Sequence, residues 1–259
     1  MHAPISVIIP CFKAASFLER AVNSVLNQSC APTQIILIDD ASSDGSLDVM
    51  RCLQNQHPSA NIQIESISQN SGPGAARNRG WDLASEPWLA FLDADDAWHP
   101  DKLRIQWEWI SSHLDVQLVG HLHHEGVGKT LLSNEVIASP ISFSQMLVAN
   151  RFYTRTVMLR KDLPFRFQNR NYTEDYLLWL EIILAGYPAY VLNQDLAMSF
   201  RPEFSSGGYS GDLWQHERRE LRSWMFLYQA QKISLLTLIT ALFWSYLKYL
   251  RRVIKSLKI

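Results

Sequence analysis

A chain of 259 residues in which 47% are hydrophobic, 11% aromatic and 19% charged has ample apolar content for a buried core, which excludes an intrinsically disordered protein. The formal net charge of -1 conceals an asymmetry: after Glu220 there are seven basic residues (Arg222, Lys232, Lys248, Arg251, Arg252, Lys255, Lys258) and no acidic one, leaving 17 basic against 25 acidic side chains, a net of -8, before it. An acidic main body argues against a nucleic-acid-binding face, while the basic end is matched to an anionic surface.

In chain order, apolar runs at Ile5 to Ile9, Ile35 to Ile38 and Trp88 to Leu92, with an alternating stretch at Ile62 to Ile67, predict four strands. Helical spacing separates them, first in Phe17, Leu18, Ala21, Val22, Val25 and Leu26, then in Leu47, Met50 and Leu53, then over Pro73 to Leu83. This βαβαβαβ order predicts an α/β domain with a mostly parallel central sheet and helices on both faces, because strands covered on both sides read as continuous apolar runs. Ligands of such sheets sit beyond the carboxyl ends of the strands. A helix is expected over Pro100 to His113, and HLHHEGVGKT, residues 121–130, reads as a loop or hairpin in which His121, His123 and His124 suggest a metal site less than a plain polar loop. Residues 115–170 show no clear period. A second helix starts at Glu174 and is stopped by Gly186 and Pro188, a short strand covers Tyr190 to Leu192, and RPEFSSGGYSG, residues 201–211, is loop by composition.

The last segment has 15 uncharged residues, Ile233 to Leu247, fewer than the ~20 of a spanning helix. On a helix, Ser234, Thr237, Ala241, Ser245, Lys248, Arg252 and Lys255 form a polar stripe that becomes basic, as in a helix lying in a membrane interface with its cations toward lipid headgroups. Three cysteines, Cys11, Cys30 and Cys52, without a C-x-x-C pair fit neither a disulfide framework nor a structural zinc site. The N-terminal MHAPISVIIPCFK lacks a basic segment followed by a long apolar one, so no secretory leader is expected.

Four clusters can carry chemistry. Asp93, Asp95 and Asp96 follow an apolar strand, and paired carboxylates there attract Mg2+ or Mn2+; a merely acidic loop is the plainer alternative. Asp39 and Asp40 end another strand, where a carboxylate can accept from a ribose hydroxyl or a base N–H, while Ser43, Asp44 and Ser46 can simply cap the next helix. In N-S-G-P-G-A-A-R-N, residues 70–78, glycines before a helix allow close approach of a nucleotide and Arg77 can reach a base or phosphate. Glu174 and Asp175 open a helix, where an acid either complements the dipole or acts as a general base.

Taken together, SVIIPCF, IDDASSDGS, N-x-G-P-G-A-A-R-N-x-G, FLDADD-x-W-x-P-D-K-L and T-E-D-Y resemble the family 2 inverting glycosyltransferases of GT-A fold. The resemblance implies a nucleotide-diphosphate sugar donor, most often UDP-linked, and a glycan or lipid-linked glycan acceptor. It implies that Pro10 and Phe12 lie against the base, although the family more often has Tyr and Asn where this chain has Phe12 and Lys13. It implies that Asp39 and Asp40 contact uracil or ribose, that Gly74 and Arg77 border the nucleotide, and that Asp93 and Asp95 form the D-x-D, with Asp95 the direct ligand of Mn2+ or Mg2+. Asp175, with Glu174 beside it, matches the catalytic base. Arg201 matches a diphosphate-holding arginine, but Glu203 stands where relatives have His. The Q-x-x-R-W of processive synthases is missing between Gln215 and Trp224, which favours addition of a single sugar.

The expected layout is a GT-A domain over residues 1–215, with a nucleotide half to about 113 and an acceptor half from 114 to 215, followed by a basic helical tail, 216–259, on the inner face of the cell membrane. A polyprenyl-phosphate glycosyltransferase and a non-catalytic nucleotide-sugar-binding scaffold are the alternative readings.

Overall fold

The computed structural model describes residues 2–126, 132–200 and 212–256, with the side chains of residues 255 and 256 excepted. The first hundred residues follow the expected order: β1 (His2–Cys11), α1 (Leu18–Leu26), β2 (Ala31–Asp39), α2 (Ser46–Gln56), β3 (Ile62–Ser66), α3 (Pro73–Leu83) and β4 (Trp88–Phe91). Then come β5 (Asp96–Trp98), α4 (Lys102–Ser111), β6 (Leu118–Glu125), β7 (Ala138–Pro140), α5 (Phe143–Val148), a 3-10 turn (Thr154–Thr156), β8 (Met158–Arg160), α6 (Glu174–Leu184), β9 (Ala189–Ser199), α7 (Leu213–Gln229) and α8 (Leu235–Ser256).

The apolar runs are continuous because successive side chains enter different cores. In β1, Ile5, Val7 and Ile9 face one cluster and Ile8 the other; in β2, Ile35 and Leu37 oppose Ile36 and Ile38. The first core is closed by Leu18, Val22 and Val25 of α1, Met50 and Leu53 of α2, and Leu103 and Ile110 of α4. The second is closed by Ala76 and Trp81 of α3, Leu177 to Leu180 of α6, Trp224 and Leu227 of α7, and Leu238 and Ala241 of α8.

The strands form one nine-stranded sheet in the order β3-β2-β1-β4-β8-β6-β9-β5, with β7 also paired to β9. β1, β2, β3 and β4 are mutually parallel, and β6 and β9 run the same way because β8 is antiparallel to both β4 and β6. Six strands therefore bring their carboxyl ends to one edge, and only β5, β7 and β8 oppose them.

Three expectations change. His121 to Glu125 is not loop or hairpin but the second half of β6, parallel to β9 and bulged near Leu122, where the pairing slips. Its first histidine is 2% exposed, and burial beside Lys102 pushes the imidazole well below its ordinary pKa, so a neutral ring occupies what reads as a polar position. The strand at Tyr190 to Leu192 is only the first third of β9. The polar stripe of α8 points inward: Ala241 and Ser245 are buried, Lys248 Nζ lies 2.5 Å from Glu220 Oε1, and Arg252 bonds Glu217 at 2.8 Å. The face turned outward is apolar, with Leu236 (72% exposed), Ile239, Phe243 (63%), Tyr246 and Ile254 in the open. All three cysteines are free thiols, Cys11 and Cys30 buried and Cys52 exposed.

Candidate active site

The site is assembled where β1, β2 and β4 end. Pro10 is buried and pairs with Ile38, and the chain then turns so that Phe12 stands 47% exposed beside it. The turns after β1 and β2 hold Lys13 at φ 50° and Ala41 at φ 58°, a left-handed backbone that side-chain-bearing residues rarely adopt. Asp39 and Asp40 are each 2% exposed and serve as braces. Asp39 accepts from the Ser42 amide and from Ser66 Oγ. Asp40 accepts from the amides of Ser71 and Gly72, both at 2.8 Å, which pins the glycine-containing loop to the end of β2. Asp44 takes the Ser46 amide and the Ala15 amide, so the capping explanation accounts for it.

Gly72 has φ 91°, the left-handed backbone needed to aim its amide at Asp40. Gly74 has a different purpose from close approach by a nucleotide. A Cβ there would lie 2.8 Å from Glu174 Oε2 and 2.8 Å from the Gln168 carbonyl, so the missing side chain admits the carboxylate of Glu174. One turn on, Arg77 is 7% exposed and lies between the two acidic motifs. Its Nη2 is 2.6 Å from Asp93 Oδ1, its Nη1 is 3.9 Å from Glu174 Oε2, and its guanidinium carbon is 5.3 Å from the Phe167 ring. Burial alone lowers the guanidinium pKa, but Asp93 and then Glu174 outweigh it and hold the charge. Burial likewise opposes ionisation of Asp93, and Arg77 followed by Arg155 reverses this, leaving the carboxyl below its ordinary value.

Asp93 to Asp96 form a turn closed by the Asp96 amide on the Asp93 carbonyl at 3.0 Å, not a continuing strand. The turn therefore sets both D-x-D carboxylates. Arg20 of α1 donates to the Asp95 carbonyl at 2.7 Å and lies 3.7 Å over the Phe200 ring. Asp96 is buried and bonds Arg155 at 2.6 Å; burial, reinforced by Asp93 and Asp95 and opposed by Arg155, raises its pKa to about 7. Asp175 accepts from the Tyr176 amide at 2.7 Å and from Thr154 Oγ1 at 3.3 Å. Its carboxyl is raised by burial, with Arg77 the main opposing influence, which makes it a stronger base than a free aspartate once ionised.

The structure thus brings Gly74, Arg77, Asp93, Glu174 and Asp175 together, with Asp95 on the same turn as Asp93. Arg201 and Glu203 lie outside the described residues. Thr154, Arg155 and Arg20 join the site without any sequence signal: the first two fall in the stretch without a period, and Arg20 reads as the solvated face of α1.

Among the described residues no group of three or more His, Cys, Asp or Glu side chains is arranged to hold an ion alone. Mg2+ and Mn2+ bound to a diphosphate take one or two protein carboxylates and complete their shell with phosphate oxygens and water. The hard oxygen donors of the D-x-D turn match such an ion.

A family model described as glycosyl transferase family 2 matches residues 6–171, a span that holds the β1 to β4 edge, the D-x-D turn and Arg77. The chain belongs to glycosyl transferase family 2. The transferase is 28% identical over 257 residues to the putative teichuronic acid biosynthesis glycosyltransferase TuaG of Bacillus subtilis, covering 97% of this chain and 96% of that one. It is also 28% identical over 182 residues, 69% of each chain, to the Escherichia coli UDP-Glc:alpha-D-GlcNAc-diphosphoundecaprenol beta-1,3-glucosyltransferase WfgD. Among solved structures, S. aureus TarS 1-349 in complex with UDP-GlcNAc matches 88% of the transferase and 69% of its own chain with a TM-score of 0.70 at 18% identity. The mannosyltransferase PcManGT from Pyrobaculum calidifontis in complex with GDP-Man and Mn2+ matches 94% and 70%, with a TM-score of 0.70 at 17% identity. The architecture of the transferase is the GT-A fold, and the two sequence relatives are named for teichuronic acid biosynthesis and for glucosyl transfer to a diphosphoundecaprenol-linked GlcNAc.

Proposed function

We propose that the transferase moves a single sugar from a nucleotide-diphosphate donor, most simply a UDP-sugar, to a hydroxyl of a glycan or lipid-linked glycan, inverting the anomeric centre. The observation that carries this reading is the position of Arg77 between Asp93 and Glu174, which joins the donor-side turn to the helix start bearing Asp175. Asp95, with Asp93, would hold Mn2+ or Mg2+, which when bound neutralises charge on the departing diphosphate. Phe12 offers an exposed ring to the base, and Asp39 and Asp40 fix the loops around it. Asp175 takes the proton of the acceptor hydroxyl as that oxygen attacks the face of the anomeric carbon opposite the leaving group. Arg77 keeps its charge beside the developing diphosphate charge and so stabilises departure.

Thermal unfolding with UDP, GDP and other nucleoside diphosphates, with and without Mn2+, tests the donor side. A ligand that binds only the native state raises the unfolding temperature. The expected result is a Mn2+-dependent rise with UDP that is lost in Asp95→Ala; a rise confined to GDP keeps the chemistry and changes the donor, and no rise with any diphosphate overturns the reading.

The transferase also rests, in this proposal, on the inner face of the cell membrane through residues 233–259. No helix of the described residues is long and apolar enough to cross a membrane. The support is the outward apolar face of α8, followed by Lys255 and Lys258. A position on the membrane brings the sheet edge to a lipid-carried acceptor.

A further inference from the structure

The 3-10 turn Thr154–Thr156 is bonded on one side to the strand that follows the D-x-D turn and on the other to the start of α6. Toward β5, Arg155 Nη1 donates to Asp96 Oδ2 at 2.6 Å, and Trp98 Nε1 donates to the Arg155 carbonyl at 2.7 Å. Arg155 also donates to Ser199 Oγ at 3.2 Å, at the point where β9 pairs with β5 through Ser199 and Asp96. From α4, Gln106 Nε2 donates to the Thr156 carbonyl at 3.0 Å, and the Thr156 hydroxyl closes the turn on the Tyr153 carbonyl at 2.8 Å. Thr154 and Thr156 are 6% and 0% exposed, so water competes little for these bonds. A turn tied to β5, β9 and α4 is a rigid platform for the side chains it carries.

The first of those side chains reaches the reacting centre. Thr154 Oγ1 donates to Asp175 Oδ2 at 3.3 Å, while Asp175 Oδ1 accepts from the Tyr176 amide at 2.7 Å. Each carboxylate oxygen thus has its own donor, and two such points fix the plane of the carboxylate. The Tyr176 amide belongs to the same helix as Asp175 and relates it to nothing outside α6. Thr154 relates it to the donor side, because the next residue, Arg155, is bonded to Asp96. As a β-branched residue Thr154 has few χ1 choices, which suits a side chain that must aim another.

We propose that Thr154 is a positioning residue for the transfer: through the 3-10 turn it sets the Asp175 carboxylate relative to the D-x-D segment, and so relative to the anomeric carbon of a bound donor. The inference rests on the reading of Asp175 as the base and adds to it a residue that acts through that base. Loss of the hydroxyl removes a donor that favours the ionised carboxylate, so Asp175 should titrate at higher pH. The charged groups that face it, Arg77 of α3, Asp93 of the D-x-D turn and the adjacent Glu174, are unaltered by that change. A higher pKa makes a stronger base, so a slower rate on the pH plateau reports lost orientation and not lost basicity.

Two readouts test this. One is the titration of carbon-13-labelled aspartate carboxyls, with Asp175 assigned from Asp175→Asn. The other is plateau kcat for hydrolysis of UDP-glucose, UDP-N-acetylglucosamine, UDP-galactose and GDP-mannose with Mn2+. Water then stands in for the acceptor: its oxygen bonds the anomeric carbon, its proton passes to Asp175, and the nucleoside diphosphate leaves with the electron pair of the broken bond. Thr154→Val should move the Asp175 titration to higher pH and lower plateau kcat about tenfold, the usual cost of a lost hydrogen bond to a charged group. The donor KM and the nucleotide thermal shift should be unchanged, which also reports that the variant folds. Thr154→Ser restores the hydroxyl and should recover most of both effects. An unmoved titration, an unchanged plateau, or a loss that Thr154→Ser does not recover overturns the inference. A lower unfolding temperature with wild-type titration and kcat overturns it as well, because the residue then serves only the fold. Donor hydrolysis that is absent in the wild type, or untouched by Asp175→Asn, is instead a failure of the base assignment, and the inference falls with it.

Discussion

A general base must be unprotonated to work, and for Asp175, proposed above in that role, the environment decides where that happens. Burial raises its carboxyl pKa, while Arg77, the Tyr176 amide and Thr154 hold part of it down. Activity is therefore lost as pH falls through the raised value, and the acid limb of kcat should inflect above the ~3.9 of a free aspartate. Asp175→Asn is expected to lower kcat by about 10^2- to 10^4-fold, with the UDP thermal shift intact. An unchanged limb in the Asn variant would assign it to another group, Asp96 being the first to test because its pKa is about 7. The acidic residues of this site were legible in the sequence because Asp39, Asp40, Asp93 and Asp95 follow apolar runs at strand ends, and Glu174 and Asp175 stand where a helical pattern starts. Their partners were not. Nothing in spacing reveals that Gly74 is small to admit Glu174, or that Asp40 spends both oxygens on the amides of Ser71 and Gly72, since those contacts join segments more than thirty residues apart.

At the level of elements, α8 shows how a correct periodicity can yield the wrong orientation. The polar stripe was visible, and the usual assignment of lysine and arginine to solvent turns it outward. In the folded chain Glu217 and Glu220 of α7, 3% and 4% exposed at their side chains, draw Lys248 and Arg252 inward instead. A helical pattern read alone does not include the charges of the helix it packs against. Burial opposes ionisation of Glu220, and Lys248, followed by Arg252, outweighs it to leave the carboxyl below its ordinary pKa. Removing one member of such a pair leaves a buried charge unmatched. Glu220→Ala should therefore cost about 3 kcal/mol of stability or more, whereas Glu220→Leu combined with Lys248→Met should cost clearly less. Urea unfolding of the two variants measures this, and equal losses would mean that packing and not charge holds α8 on α7. The same blindness to neighbours hid the end of β6, whose three histidines read as polar loop until β9 and α4 supply their surroundings.

For the molecule as a whole, the inward turn of Lys248 and Arg252 changes how it meets a membrane. If the tail bound by its cations, attraction would come from all seven basic residues after Glu220 and would vanish with salt. With three of them paired, Lys232 to Glu181 at 2.6 Å and Lys248 and Arg252 to α7, the surface offered is Leu235, Leu236, Ile239, Phe243, Tyr246 and Ile254, and α8 is fixed to the second core through Leu238 and Ala241. In the proposed membrane-bound state that geometry would press an apolar ridge into the headgroup boundary. Arg251, which is exposed, and the lysines beyond it add about 1 kcal/mol each on anionic lipid. Vesicle co-sedimentation should accordingly show binding to neutral phosphatidylcholine, stronger binding with phosphatidylglycerol, and loss of only that increment at about 0.5 M salt, where the screening length is a few ångströms. Ile239→Glu with Phe243→Glu should abolish binding to both lipids without lowering the unfolding temperature, because neither side chain is packed inside. Complete release by salt with no effect of the two glutamates would overturn insertion of the ridge, and a concentration-dependent doubling of mass that the glutamates abolish would identify a second copy of the chain as its cover.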